Sequence, residues 1–292
     1  MKVRKAVIPA AGKGTRMLPF TRVVPKELYP IIDTPSIHFV INELVEAGIE
    51  QVIFVTARGK YSIEDYFDYA AELDSHLEKH GQKELLEKSK KIADMIEVNS
   101  VRQKEPLGLG HAVLMAKNLV GNEPFLVVLP DEIYDKVNPS KQMVNVYENS
   151  ENPAILSMKV DDSAVSRYGI FDIEKWDGEE SFFVNKMVEK PKTEEAPSNY
   201  AILGRYLLTP EIFSLLEETV PGKGNEIQLT DALTKLSEIQ KLKGVVYSKG
   251  VRFDIGNLEG AIETIIYYGL KREETRNKLI DTVNKWLPEN VG

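Results

Sequence analysis

Cysteine is absent from the 292 residues. That excludes a disulfide framework, a thiolate nucleophile, an iron–sulfur cluster and a thiolate zinc site. Histidine is scarce, with only His38, His76, His80 and His111 present. His76 and His80 stand one helical turn apart but without an HExxH pattern, in a strongly charged stretch that reads as a solvated face. Long hydrophobic runs are also missing. Phe125–Leu129 and Val52–Val55 are the longest plain ones, far below the roughly 20 residues of a membrane span. The basic N-terminus leads into a short apolar stretch that Gly12 and Lys13 interrupt, unlike a signal peptide. The expectation is a cytoplasmic protein with no membrane partner.

Acidic residues are lacking in one place. Residues 1–26 hold seven basic side chains and no acidic one, within a chain of net charge −8. The net charge argues against nucleic-acid binding. A basic, glycine-containing segment in an acidic protein suggests a local site for a small anion. A solvated basic N-terminus would explain Lys2, Arg4 and Lys5, but not the cations interleaved with Gly and Pro.

What is present reads as an α/β protein. Val3–Pro9 is apolar and β-branched and reads as a buried strand, Gln51–Thr56 as a second buried strand, Ile96–Arg102 as a third strand and the apolar Phe125–Leu129 as a fourth. Between them come helical patterns: one that Pro35 opens in its favoured first turn and Gly48 ends, a charged stretch from a Ser62-x-x-Asp65 capping box to about Met95 broken at Gly81, and Gly110–Leu119. This alternation predicts a mainly parallel, Rossmann-like sheet with helices on both faces. After residue 150 strands dominate (Ala154–Val160, Gly169–Ile173, Phe182–Val188, Ala201–Leu208). Helices then return at Glu211–Glu218, Leu229–Gln240, Leu258–Lys271 and Glu273–Trp286. The expected organisation is a single domain over 1–292, with a first half to about 150 and a β-rich second half, 151–292. Trp176 reads as a loop-tip residue, and the methionines as core filler.

The first strand runs into Ala10-Ala11-Gly12-Lys13-Gly14-Thr15-Arg16-Met17. This is not a Walker loop, because the first glycine and the Lys-Ser/Thr order are missing. It is not a dinucleotide fingerprint either: Met17 stands where the third glycine belongs, and Pro19, Pro25 and Pro30 prevent the helix that should follow. Small residues still let backbone N–H groups approach phosphate oxygens, and Arg16 and Lys26 supply cationic donors.

The segment AAGKGTRMLPFTRVVPKELYPIIDTP, residues 10–35, resembles the Gly-x-Gly-Thr-Arg…Pro-Lys signature of the sugar-1-phosphate nucleotidyltransferases. RQKEPLGLGHA (102–112), LPDEI (129–133), YGI (168–170), VEKP (188–191), NYAILGRYLL (199–208), GNEIQLTDAL (224–233) and FDIGN (253–257) continue the likeness in family order. The Gly-Leu-Gly-His-Ala and Glu-Ile-Gln-Leu-Thr-Asp-Ala segments and the charged helices of 60–95 are most similar to the bacterial members that use UTP and glucose 1-phosphate.

The resemblance implies the nucleotide-diphospho-sugar transferase fold. It also implies a Mg²⁺-dependent, in-line transfer without a covalent enzyme intermediate, giving UDP-glucose and pyrophosphate. The first half would hold the nucleotide and the second the sugar. Lys26 would contact the nucleotide phosphates, Arg16 the departing pyrophosphate and Lys190 the sugar phosphate. Ala11, Gly12, Gly14, Thr15, Gln103 and Gly108 would surround the nucleotide, with the Gln103 amide suited to a pyrimidine edge. Gly169, Glu189 and Asn199 would contact the sugar. Glu189 and Lys190 are neighbours and would face oppositely on a regular strand, so both reach one ligand only where the strand ends. Asp131 and Asp254 follow apolar strands, where a turn or cap is the commoner reason for aspartate; the resemblance implies that both ligate Mg²⁺. Glu132 would point elsewhere. A homo-oligomer is expected. A thymidylyl- or cytidylyltransferase, or a non-catalytic sugar-nucleotide sensor, would share much of this pattern.

Overall fold

The computed structural model describes residues 1–287; the last five residues of the expected second half lie outside them. The strands in chain order are β1 (Lys5–Pro9), β2 (Pro30–Ile31), β3 (Thr34–Pro35), β4 (Gln51–Thr56), β5 (Glu97–Arg102), β6 (Phe125–Val128) and β7 (Glu132–Asp135). They continue with β8 (Ala154–Lys159), β9 (Gly169–Trp176), β10 (Ser181–Glu189), β11 (Tyr200–Leu208), β12 (Lys243–Val246) and β13 (Val251–Asp254).

Nine of them form one sheet in the order β5-β4-β1-β6-β11-β8-β12-β10-β9. β1 runs parallel to β4 and β6, and β4 to β5. β11 enters antiparallel between β6 and β8, and so joins strands from both halves of the chain. Alternation along β1 shows how the two faces form: Val7 belongs to one core, while Ala6 and Ile8 belong to the other. Helix Ser36–Glu46 buries Ile37, Val40, Ile41 and Leu44 against the second face. Helices Leu109–Met115, Glu211–Glu217 and Leu229–Ile239 cover the first.

β7 and β13 pair outside the main sheet as a short antiparallel ribbon. β7, with a charge at each end of only four positions, was not legible as a strand, whereas β13 is the Val251-Arg252-Phe253 run that Asp254 closes. The ribbon rests on a small core of its own, Ile31, Ile133, Phe253 and Ile255.

Local signals failed in three places. Pro35 ends β3 and precedes the helix instead of occupying its first turn. Ser62 caps nothing: Lys60 stands at the N-cap, and that helix ends after Asp65. The rest of the charged stretch is two further helices, Ala71–Lys79 and Lys83–Ala93, with Gly81 at φ 68° between them. Trp176 is no loop tip. It ends β9 and packs edge-on against Phe182 and Tyr200, with ring centroids 5.3 and 5.2 Å away. Among the described residues no helix is long and apolar enough to cross a membrane.

Candidate active site

The segment after β1 folds into three short 3-10 turns, Thr15–Met17, Phe20–Arg22 and Lys26–Leu28. The prolines make a continuous helix impossible here, and the turns leave Lys26 at the start of the third. Its ammonium lies 2.6 Å from Asp131 Oδ2. The next residue, Glu27, is buried and accepts both its hydrogen bonds from Lys60, each at 3.0 Å. Burial pulls the Lys60 pKa down in spite of Glu27. This pair anchors the turn that aims Lys26, and the sequence reasoning missed it.

Asp131 sits where the chain leaves β6 and turns into β7. Asp254 ends β13, opposite Glu132 in the ribbon register. The Ile255 N–H donates to the Asp131 carbonyl at 2.9 Å, which ties the two carboxylate-bearing segments together. Both side chains are half-buried. A Cβ added at Gly256 would meet Asp131 Oδ2 at 2.9 Å and Asp254 Oδ1 at 3.0 Å. The two carboxylates therefore converge on one small space that only glycine leaves open. Burial pushes the Asp131 pKa up, but the Lys26 ammonium, its hydrogen bond and Arg16 outweigh that and hold it below the ordinary carboxylate value. Among the described residues no three or more His, Cys, Asp or Glu gather to hold a metal. Two oxygen donors beside the Lys26 and Arg16 cations suit Mg²⁺, which binds through one or two carboxylates plus substrate oxygens and water.

Two cavities meet at Asp131. One, of about 320 Å³, is lined by Ala11, Gly12, Lys26, Gln103 and Gly108 as well as Asp131. Gly14 and Thr15 lie outside its lining; Gly14 at φ 64° caps the Thr15–Met17 turn and accepts a hydrogen bond from Thr21. Gln103 is buried at 6% exposure. Its Nε2 lies 3.2 Å from the Gly108 carbonyl and 2.9 Å from His111 Nδ1. Those contacts commit the amide nitrogen and turn the carbonyl oxygen toward the role of acceptor. Gly108 has φ 97°, and a Cβ there would come within 2.8 Å of both Glu226 Cβ and the Ile227 carbonyl. The 102–112 and 224–233 segments are thereby packed together, with Ile227 N donating to Leu107 O at 2.8 Å and Gly110 N to Ile227 O at 2.9 Å.

The second cavity, of about 310 Å³, is lined by Gly169, Glu189, Lys190, Asp254, Arg16 and, again, Asp131. The facing problem at Glu189-Lys190 is solved by the backbone. β10 ends at Glu189, and Lys190 adopts φ 45°, so both side chains reach the cavity. Thr230 Oγ1 donates to Glu189 Oε2 at 3.1 Å. Arg16, expected at the departing pyrophosphate, lines this second cavity and not the first. Asn199 is not in either lining; its amide nitrogen lies 3.5 Å from Asp162 Oδ1.

Glu132, expected to point elsewhere, is buried in the wall of the second cavity together with Arg252 and Tyr168. Its carboxylate accepts from Arg252 at 2.6 Å and from the Gly204 N–H at 2.9 Å. The signal that could have found this group is a lone arginine inside each of two apolar strands, Val251-Arg252-Phe253 and Gly204-Arg205-Tyr206.

A glycine-containing loop thus follows the first strand of an α/β sheet, and Asp131, with Asp254 alongside, stands where two cavities meet. The chain belongs to the Nucleotidyl transferase family, whose sequence pattern matches residues 5–268. It is 48% identical over 280 residues to the UTP–glucose-1-phosphate uridylyltransferase of Bacillus subtilis strain 168, covering 96% of this chain and 95% of that one. Among solved structures, it is similar to a UTP-bound UGPase from Acinetobacter baumannii at TM-score 0.89 and 38% identity, covering 98% of this chain and 100% of that one. It is also similar to a UDP-glucose pyrophosphorylase complexed with UDP-glucose, at TM-score 0.82 and 41% identity, covering 92% and 100%.

Proposed function

We propose that this chain is a UTP–glucose-1-phosphate uridylyltransferase, making UDP-glucose and pyrophosphate. The observation that carries the reading is the meeting of two cavities at the Lys26–Asp131 pair, with a second carboxylate, Asp254, alongside. The nucleotide occupies the Gln103 side and the hexose the Glu189 side. The glucose 1-phosphate oxygen attacks the α-phosphorus of UTP, a P–O bond forms, and the bond to the β-phosphate breaks with its electron pair leaving on pyrophosphate. A phosphate monoester has its second pKa near 6, so the attacking oxygen is already ionised and no general base is needed. Position and charge neutralisation remain to be supplied. Lys190 holds the sugar phosphate. Lys26, neutralised by Asp131 in the free chain, turns to the nucleotide phosphates, and Arg16 faces the charge between the two substrates. Asp131 and Asp254 are the two carboxylates that would hold Mg²⁺, which supplies charge neutralisation at the transferred phosphate. The Gln103 carbonyl accepts from the uracil ring N–H. Exposed Ile262, Ile266, Ile280 and Val283 on the C-terminal helices offer a surface for self-association.

The test is pyrophosphate release over four nucleoside triphosphates and several hexose 1-phosphates, with and without Mg²⁺. UTP with glucose 1-phosphate should lead, chelator should stop turnover, and Asp131→Asn should remove nearly all of it with the fold intact. A dTTP preference would make the chain a thymidylyltransferase. UDP-glucose binding without pyrophosphate release would make it a sensor.

A further inference from the structure

We propose that Arg205 is a positioning residue for this reaction, gripping the backbone on both sides of Asp131 and so setting where that carboxylate stands. Arg205 lies on β11 with no exposure at all. A charge buried so completely needs every donor satisfied, and its partners are specific. Nε and Nη2 donate to the two carboxylate oxygens of Glu43, each at 2.8 Å. Nη1 donates to the Leu129 carbonyl and Nη2 to the Glu132 carbonyl, each at 2.9 Å. Those carbonyls flank Pro130-Asp131. One planar fork thus joins helix Ser36–Glu46 to both ends of the turn that carries the proposed metal ligand. The pairing of β11 with β8 shifts register between Ile202 and Tyr206, where Arg205 sits. Irregularities of this kind re-aim side chains beside active sites.

The connection extends to the second carboxylate. Glu132, whose carbonyl Arg205 holds, uses its own carboxylate to bind Arg252 on β13, two residues from Asp254. Stability alone is a weak reason for such an arrangement, because well-packed apolar residues often replace a buried ion pair at no cost. Geometry is a stronger one. Lysine has a single point of charge and cannot span Glu43 and two carbonyls.

This inference rests on Asp131 acting at the metal, so the experiment separates the two claims. Arg205→Lys, Glu43→Gln, Asp131→Asn and a remote core control, Leu236→Ala, are compared in the full chain. Melting temperature, turnover, the Mg²⁺ concentration for half-maximal activity, and amide exchange of residues 129–133 in metal-free protein are measured. Arg205→Lys should lower turnover by about tenfold to a hundredfold, the usual consequence of a misplacement near 1 Å. It should also raise the Mg²⁺ requirement, leave the glucose 1-phosphate KM near wild type, and speed exchange in 129–133 beyond the rest of the chain. Leu236→Ala should lower the melting temperature without these effects. If Arg205→Lys does not fold, Glu43→Gln, which keeps shape and removes charge, is read by the same criteria. A variant that only melts earlier, with wild-type Mg²⁺ dependence and local exchange, overturns the positioning role. Full activity of Asp131→Asn overturns the metal reading as well.

Discussion

Alanine at Gly256 adds one methyl group at the point where the two carboxylates converge. Gly256 is not in the left-handed region, so the backbone accepts the change. The cost is steric: the new Cβ would lie 2.9 Å from Asp131 Oδ2 and 3.0 Å from Asp254 Oδ1. Neither oxygen gives way freely. Asp131 Oδ2 is held by Lys26 at 2.6 Å, and Asp254 Oδ1 accepts from the Gly256 N–H at 2.9 Å. Overpacking of this kind costs about 1–3 kcal/mol. If that cost falls on the geometry needed to bind metal, the Mg²⁺ concentration for half-maximal activity rises by about fivefold to 150-fold. The assay is a Mg²⁺ titration of pyrophosphate release at saturating substrates, beside a thermal melt. Because neither oxygen gives way freely, the same strain should also lower the melting temperature by a few degrees, and the Mg²⁺ shift is read beside that change. A Gly256→Ala enzyme with wild-type Mg²⁺ dependence would refute the placement of the metal between Asp131 and Asp254.

Removing either lysine should lower activity by about a hundredfold to a thousandfold, the usual loss for a preorganised donor. Lys26→Ala should act on nucleotide use and turnover, and Lys190→Ala chiefly on glucose 1-phosphate; steady-state constants near wild type in both would remove the phosphate assignments. The Lys26–Asp131 pair also has a pH signature. Because the folded Asp131 pKa is depressed, the pair's contribution is complete above the ordinary value of about 3.9 and is lost as pH falls through the lowered one. The melting-temperature gap between wild type and Lys26→Met should therefore be steady near neutrality and close in strong acid; a gap that persists there would argue against the pair.

Legibility followed the range of the signal. The central parallel strands β1, β4 and β6 announced themselves because each is an apolar run buried on both faces. The phosphate loop did so because its glycines and prolines exclude the commoner alternatives. Asp131 and Asp254 could be named only through the resemblance, since an aspartate after a strand carries no local mark of its partner. Glu132, Glu27 and Arg205 were missed for a related reason. Each is a charge whose meaning lies in a residue far along the chain: Arg252, Lys60 and Glu43. Asn199 shows the converse, a motif residue whose side chain lies beside Asp162 in the free chain and lines neither cavity.

The ribbon of β7 and β13 sets when the site can come into being. The glycine-containing loop, Lys26 and Asp131 are all present once the chain has been made through the middle of its length, yet β7 has no strand to pair with until Val251–Asp254 arrives. A nascent or truncated chain ending before β13 has the phosphate loop but lacks the second carboxylate and the ribbon that holds Asp131. Competence for chemistry is therefore among the last properties the chain acquires, after most of its sheet can already exist.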